Sequence, residues 1–131
     1  MPEPKRIFIA DDEEVVLDSL MKLLVMSDFE VKGTTEPREV LSMIKSFKPH
    51  LILLDLLMPH MGGLEICEIL NNDQEAQGIP IIIISAIGNY TDIRMAYQLG
   101  VLGYITKPYQ FPVLLKEIQK AIAFKEGDKR P

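Results

Sequence analysis

Three carboxylates, a hydroxyl and an ammonium stand at the ends of apolar runs, where polar side chains are costly to bury. Asp11 and Asp12 follow Ile7-Phe8-Ile9-Ala10, and Asp55 follows Leu51-Ile52-Leu53-Leu54. Ser85 follows Ile81-Ile82-Ile83-Ile84, and Lys107 follows Tyr104-Ile105-Thr106. If those runs are neighbouring parallel strands, their ends meet on one edge of one sheet and the five side chains share a pocket. Such a pocket binds a divalent cation and receives a phosphoryl group. Mg2+ takes hard oxygen ligands, of which one or two are carboxylates. Asp12 and Asp55 are the expected direct ligands, Asp11 holds a coordinating water, and a loop carbonyl after Asp55 completes the protein's share. Asp55 is the expected nucleophile, because a carboxylate can attack phosphorus to give an aspartyl phosphate. Positioning and charge neutralisation carry most phosphoryl transfer, so a cation and a lysine are fitting companions. Lys107 precedes Pro108, and a cis bond there would turn its ammonium inward onto Asp55 or onto a phosphoryl oxygen. Ser85 offers a donor to the same oxygen.

Each residue also has a plainer reading. Asp11, with Asp12-Glu13-Glu14 behind it, caps a first helix, since acids favour helix N-termini. Asp55 is a turn residue before Met58-Pro59, Lys107 belongs to a solvated loop, and Ser85 ends a strand or caps a helix. No one residue separates the two readings. Their joint placement favours the pocket.

The elements that must position these groups alternate in texture. Residues 7–10, 51–54 and 81–84 are short, β-branched and apolar throughout, as in strands buried on both faces of a parallel sheet. Phe29-Glu30-Val31-Lys32-Gly33 alternates instead, the mark of a strand nearer the sheet edge, and Val101 to Thr106 is a weaker fifth strand. Between them lie segments of helical length. Val16, Leu20, Leu23, Leu24 and Ser27 trace a stripe at three- and four-residue spacing in the first. Pro37 to Phe47 forms a second, with Thr35 or Glu36 as its start. Leu64 to Leu70, Thr91 to Leu99 and Phe111 to Phe124 form the third to fifth. The last buries Phe111, Leu114, Leu115, Ile118 and Ile122. Alternation of this kind predicts a doubly wound α/β domain with right-handed crossovers, in which ligands bind beyond the carboxyl ends of the strands.

Composition narrows the function further. The chain has 131 residues, enough for one domain, and a net charge of -5 that argues against direct nucleic-acid binding. No apolar stretch reaches the length needed to span a bilayer, so no membrane insertion is expected. The N-terminus lacks the apolar middle of a signal peptide. A single cysteine, Cys67, forms no internal disulfide. A cytoplasmic protein is therefore expected. Cys67 reads as packing, His60 and His50 as surface residues rather than metal ligands, and the methionines as core fillers. No Gly-rich loop opens any helix, which leaves nucleotide binding unsupported.

The chain clearly resembles the receiver domains of two-component response regulators. The matching stretches are residues 7–13 and 51–59, Ile81-Ile82-Ile83-Ile84-Ser85-Ala86, and Gly103-Tyr104-Ile105-Thr106-Lys107-Pro108. The resemblance covers about residues 5–125. It implies a flavodoxin-like five-stranded parallel sheet in the order 2-1-3-4-5, an order that the chemotaxis regulators of this class exemplify. It implies a receiver domain over residues 1–125, with a disordered C-terminal tail at 126–131. It further implies that Asp55 accepts phosphate from a sensor histidine kinase or phosphotransfer protein. Mg2+ would be held by Asp12, Asp55 and the backbone carbonyl of Leu57, with Asp11 acting through water. Ser85 and Tyr104 are the implied switch residues, the hydroxyl turning toward the phosphoryl group and the aromatic ring changing rotamer. The chain departs from the family pattern at Gly62, where many members carry Asp, and at Ser85, where Thr is commoner. Leu57 and Ile87 stand two residues beyond the nucleophile and the hydroxyl, where side chains influence the hydrolytic water. Two apolar groups there predict a long-lived phosphorylated state.

Val113 and Phe124 lie off the core stripe of the last helix, and Val101 and Leu102 stand where related domains often carry polar residues. The fourth helix, fifth strand and fifth helix are thus the expected face for a downstream protein or a second copy. Val15 and Ser19 mark a weaker docking site for the kinase on the first helix. The expected protein is a switch that catalyses only its own phosphorylation and dephosphorylation. Two alternatives stand beside it. One is a Mg-dependent aspartyl-phosphate phosphatase, although the haloacid-dehalogenase type carries an Asp-x-Asp first strand and a cap that this chain lacks. The other is a phosphate-independent binding module on the same fold. No second domain follows in this sequence, so the chain acts through protein contacts or is a fragment of a longer regulator.

Overall fold

The computed structural model describes residues 3–58, 61–86 and 88–127. Strands and helices alternate as β1 (Arg6–Ala10), α1 (Glu14–Met26), β2 (Glu30–Thr34), α2 (Val40–Phe47), β3 (Leu51–Leu54), α3 (Gly63–Asn71), β4 (Ile81–Ser85), α4 (Tyr90–Gln98), β5 (Gly103–Thr106) and α5 (Phe111–Lys125). A 3-10 turn, Pro37–Glu39, leads into α2. The Glu36 side chain accepts the Arg38 N–H there, so Glu36 is the start signal of this segment. All strand pairings are parallel, in the order β2-β1-β3-β4-β5, which is the expected flavodoxin-like arrangement.

A strand presents alternate residues to opposite faces, so an unbroken apolar run fills two core layers at once. Phe8, Ala10, Ile52, Leu54, Ile81 and Ile83 pack against α2, α3 and α4. Ile7, Ile9, Leu51, Leu53, Ile82 and Ile84 pack against α1 and α5. Each fully buried Leu or Ile contributes roughly 1.5–3 kcal/mol.

Four placements differ from the sequence reading. On α1 the buried residues are Leu17, Leu20 and Leu24, while Leu23 is exposed and Val16 and Ser27 are half-buried. Leu17 fits because Gly33 of β2 has no side chain: a Cβ there would sit 2.8 Å from Leu17 Cδ1. On α5, Ala121 is buried, whereas Phe111 and Leu115 are only half-buried. Val101 is core rather than surface, its N–H bonded to the Ala96 carbonyl at 3.3 Å as the chain turns out of α4. His50 is a half-buried clasp: its N–H donates to the Arg6 carbonyl at 2.8 Å and its Nδ1 accepts the Arg6 N–H at 2.9 Å. Glu126 and Gly127 form a turn after α5 and bond back to it, and residues 128–131 lie outside the described part.

Candidate functional site

Strand register builds the site. Ala10 is paired with Leu54, so the next residues, Asp11 and Asp55, lie side by side. The Asp55 N–H donates to the Ala10 carbonyl at 3.0 Å. Ser85 is paired with Thr106, and the Lys107 N–H donates to the Ser85 carbonyl at 2.8 Å. All these residues therefore reach the carboxyl edge of the sheet. Gly63 closes the loop that follows: a Cβ there would come within 2.6 Å of the Asp55 carbonyl and of Leu56 Cα, so only glycine lets α3 begin this close.

The Lys107 ammonium lies 3.0 Å from Asp11 Oδ2 and 3.0 Å from Asp55 Oδ2. The remaining oxygens are held too. Asp11 Oδ1 accepts the Glu13 N–H, and Asp55 Oδ1 accepts the Leu57 N–H, each at 2.9 Å. Asp11 does not cap α1, whose N-cap is Glu13 with no side-chain bond; one oxygen closes a local turn onto the Glu13 N–H and the other faces the lysine. The Lys107-Pro108 peptide is cis.

Burial pushes the Asp55 carboxyl above its ordinary value; the Leu57 N–H and Lys107 pull it down, and the Asp11 charge pushes it up again. Burial alone would lower the Lys107 ammonium, but its two carboxylate partners outweigh that and hold it up. The two ends of this ion pair respond differently because burial outweighs the favourable partners at Asp55, whereas at Lys107 two carboxylates outweigh burial. Carboxylate oxygens of Asp11, Asp12 and Asp55 come within 4.8 Å of one another, with Asp11 and Asp55 buried and Asp12 exposed. Three carboxylates against one ammonium leave two formal negative charges, the complement of a divalent cation. An all-oxygen donor set suits a hard ion such as Mg2+.

Ser85 is fully buried at the same edge and is hydrogen-bonded through its side chain to Tyr104, which is half-buried against the core layer under α2, α3 and α4. Residues 7–119 match the model of the response regulator receiver domain. The chain belongs to that family. It is 31% identical over 116 residues to the polar-differentiation response regulator DivK of Brucella anthropi, covering 88% of this chain and 94% of that one. Response regulator RR06 of Streptococcus pneumoniae is also 31% identical over 88% of this chain, which spans only 52% of RR06. A CheY-like receiver domain protein from Methanospirillum hungatei superimposes with a TM-score of 0.89 at 27% identity, covering 95% of this chain and 98% of its own.

The receiver edge therefore gathers Asp11, Asp12, Asp55 and Lys107 tightly, with Ser85 beside them and joined to Tyr104. Leu57 is 50% exposed and contributes its N–H to Asp55. Ile87 and His60 lie outside the described residues. Cys67 is buried, and burial, with a smaller push from Glu68, raises its thiol to about 12, so it packs and does not react. Val113 and Phe124 are exposed on α5 and Val15 on α1, as expected from the stripes, and Leu102 joins them while Val101 does not. Two features escaped the sequence reading. One is the Asp11–Lys107 bond, since each residue has a nearer explanation in its own segment. The other is Tyr109, which is half-buried beside Lys107 and Asp11; burial raises its hydroxyl, Lys107 lowers it and Asp11 raises it. An aromatic directly after Lys107-Pro108 was the available signal.

Proposed function

We propose that this receiver domain of two-component signalling is a phosphorylation-activated switch, with Asp55 accepting a phosphoryl group from a sensor histidine kinase or phosphotransfer protein. One observation carries the reading: a single ammonium is held 3.0 Å from both Asp11 and Asp55 at the carboxyl edge. It fixes the orientation of Asp55 and stands ready for the new oxygens. An Asp55 oxygen attacks phosphorus as the donor imidazole leaves, and negative charge moves from the carboxylate to the phosphoryl oxygens. Lys107 follows that charge. Asp12, Asp55 and the Leu57 backbone carbonyl would hold Mg2+, with Asp11 acting through water. When bound, the ion supplies charge neutralisation at the phosphoryl oxygens.

The Ser85 hydroxyl then exchanges Tyr104 for a phosphoryl oxygen. Released from that bond, the Tyr104 ring changes rotamer and alters the face formed by α4, β5 and α5. Exposed Val113 and Phe124 on that face meet a downstream protein or a second copy of the chain. Val15 and Ser19 on α1 contact the kinase. The unit acting as the switch is residues 1–125, and it catalyses only its own modification.

Incubation with acetyl phosphate and Mg2+, followed by intact mass, tests the acceptor. The expected result is one added phosphoryl group on the wild type and none on Asp55→Asn; addition to the variant would refute the assignment. Substituting Val113 and Phe124 by Ser should weaken partner binding or self-association of the phosphorylated form. Unchanged association would exclude that face.

A further inference from the structure

The sheet ends at β2, and no strand lies beyond it among the described residues. In a parallel ladder a strand turns the main chain of alternate residues toward its neighbour. The Glu30 N–H donates to the Lys5 carbonyl at 3.0 Å, and the Thr34 carbonyl accepts the Asp11 N–H at 3.2 Å. Glu30, Lys32 and Thr34 therefore face β1, and Val31 and Gly33 turn their N–H and C=O groups outward.

Side chains along this edge alternate between charged and apolar. Glu30 and Lys32 are exposed on one face, where the Lys32 ammonium lies 5.3 Å from the centre of the Phe47 ring of α2. Phe29 and Val31 are half-buried on the other face, in the layer under α1. An open groove beside them is lined by Pro4, Val25, Phe29 and Val31, with Asp28 and Glu30. Charges on an edge strand discourage pairing with a foreign strand. Here the two charges are opposite and two residues apart, so the edge complements itself in one antiparallel register. A two-fold axis at Val31 sets Glu30 against Lys32 of the second copy, twice. An axis at Lys32 would set lysine against lysine at the closest cross-strand spacing, an axis at Glu30 would do the same with carboxylates, and an axis at Gly33 would leave Glu30 without a partner. The main chain selects the same register, because Val31 and Val31 of the second copy can exchange both N–H···O bonds only where those groups point outward.

We propose that β2 is a self-association edge, which joins two copies of this chain antiparallel about Val31 into one continuous sheet. Glu30 of each copy pairs with Lys32 of the other, and Phe29 lies opposite Gly33, a large residue against one with no side chain. The two-fold axis stands perpendicular to the sheet, so both α1 helices share one face and the groove beside Val25, 56% exposed in the single chain, is covered by its counterpart. This edge is the one farthest from β5, so the α4-β5-α5 face stays open in the pair.

Sedimentation of the full, unphosphorylated chain from about 10 µM to about 1 mM, the range of weak complexes, should show a monomer passing to a dimer. Amide exchange at Val31 and Gly33 should slow as the concentration rises, with the Lys32 amide unchanged because it already faces β1. Glu30→Lys and Lys32→Glu each turn both cross-strand pairs into like charges and should weaken association about tenfold. An equimolar mixture of these two variants restores both pairs and should dimerise as the wild type does. Both side chains are exposed, and recovery in the mixture shows that each variant is folded. The proposal is overturned by a chain that stays monomeric throughout, by single variants that associate like the wild type, or by a mixture that fails to recover. It is also overturned if Val113→Ser with Phe124→Ser abolishes the dimer, which would assign self-association to the opposite edge.

Discussion

Replacing Asp55 with Asn asks whether the acidic pocket is strained by its own charge when no cation is bound. Lys107 attracts the Asp55 carboxylate across 3.0 Å, worth about 5.5 kcal/mol at an effective dielectric of roughly 20. Asp11 lies within 4.8 Å and repels it by about 3.5 kcal/mol or more. The attraction exceeds the repulsion, yet burial outweighs both and decides the sign. Asp55 is only 4% exposed, and one backbone N–H and one lysine replace its hydration, which is why its pKa is raised. A folded-state value above the unfolded one means that ionisation favours the unfolded chain. The stability Asp55 contributes is complete below its unfolded pKa and is lost as pH rises through the folded-state value.

Asp55→Asn keeps an acceptor for the Leu57 N–H and removes the charge. It should therefore stabilise the cation-free protein near neutral pH by about 1–2 kcal/mol, a rise in Tm of about 4–8 °C. Urea and thermal melts in EDTA measure the difference. It should shrink as pH falls through the raised folded-state pKa, where the wild-type carboxyl takes up its proton. Mg2+ should close it near neutrality by stabilising the wild type alone. A variant less stable than wild type in EDTA near neutral pH, or a gap independent of pH, would refute this electrostatic reasoning.

The remaining expectations concern other parts of the molecule. Mg2+ at about ten times its Kd should raise wild-type stability by about 1.4 kcal/mol, and Asp12→Asn should abolish most of that increment in the same melts. Burial lowers the His50 pKa, with Arg6 and Lys5 lowering it further while Glu126 and Glu3 raise it. Its contribution to stability is thus present above the unfolded value of about 6.5 and is lost as pH falls from there through the folded-state value; His50→Gln should flatten that part of the wild-type profile. Leu57→Asn should shorten the lifetime of the phosphorylated form several-fold, followed by loss of label, and an unchanged rate would exclude shielding by Leu57. Cys67 should resist a thiol reagent in the native protein and react fully in denaturant; rapid native labelling would contradict its burial.

The sheet order and the acidic edge were legible because strands buried on both faces leave uninterrupted apolar runs, and any polar residue ending such a run must be at an edge. The phase of α1 was not. Leu23-Leu24-Val25-Met26 is apolar at every position, so several stripes can be drawn through it, and only the space above Gly33 selects the one containing Leu17. Val101 looked like surface because its burial depends on how the chain leaves α4, a matter of backbone geometry. His50 and Arg6 are 44 residues apart, so their clasp leaves no local trace. An acid just ahead of a helix suggests a cap, but Asp11 stands two residues before the N-cap Glu13 and accepts its N–H in a turn, a geometry that residue type alone does not reveal.

The most direct measurement is a crystal structure of the chain with Mg2+ and beryllofluoride, a mimic of the phosphoryl group. The expected density is continuous with an Asp55 oxygen, with Lys107 and the Ser85 hydroxyl on the fluorines and the cation on Asp12 and Asp55. An adduct on Asp11 or Asp12, or an Asp55 carboxylate left bare while Mg2+ occupies another part of the surface, would contradict the account.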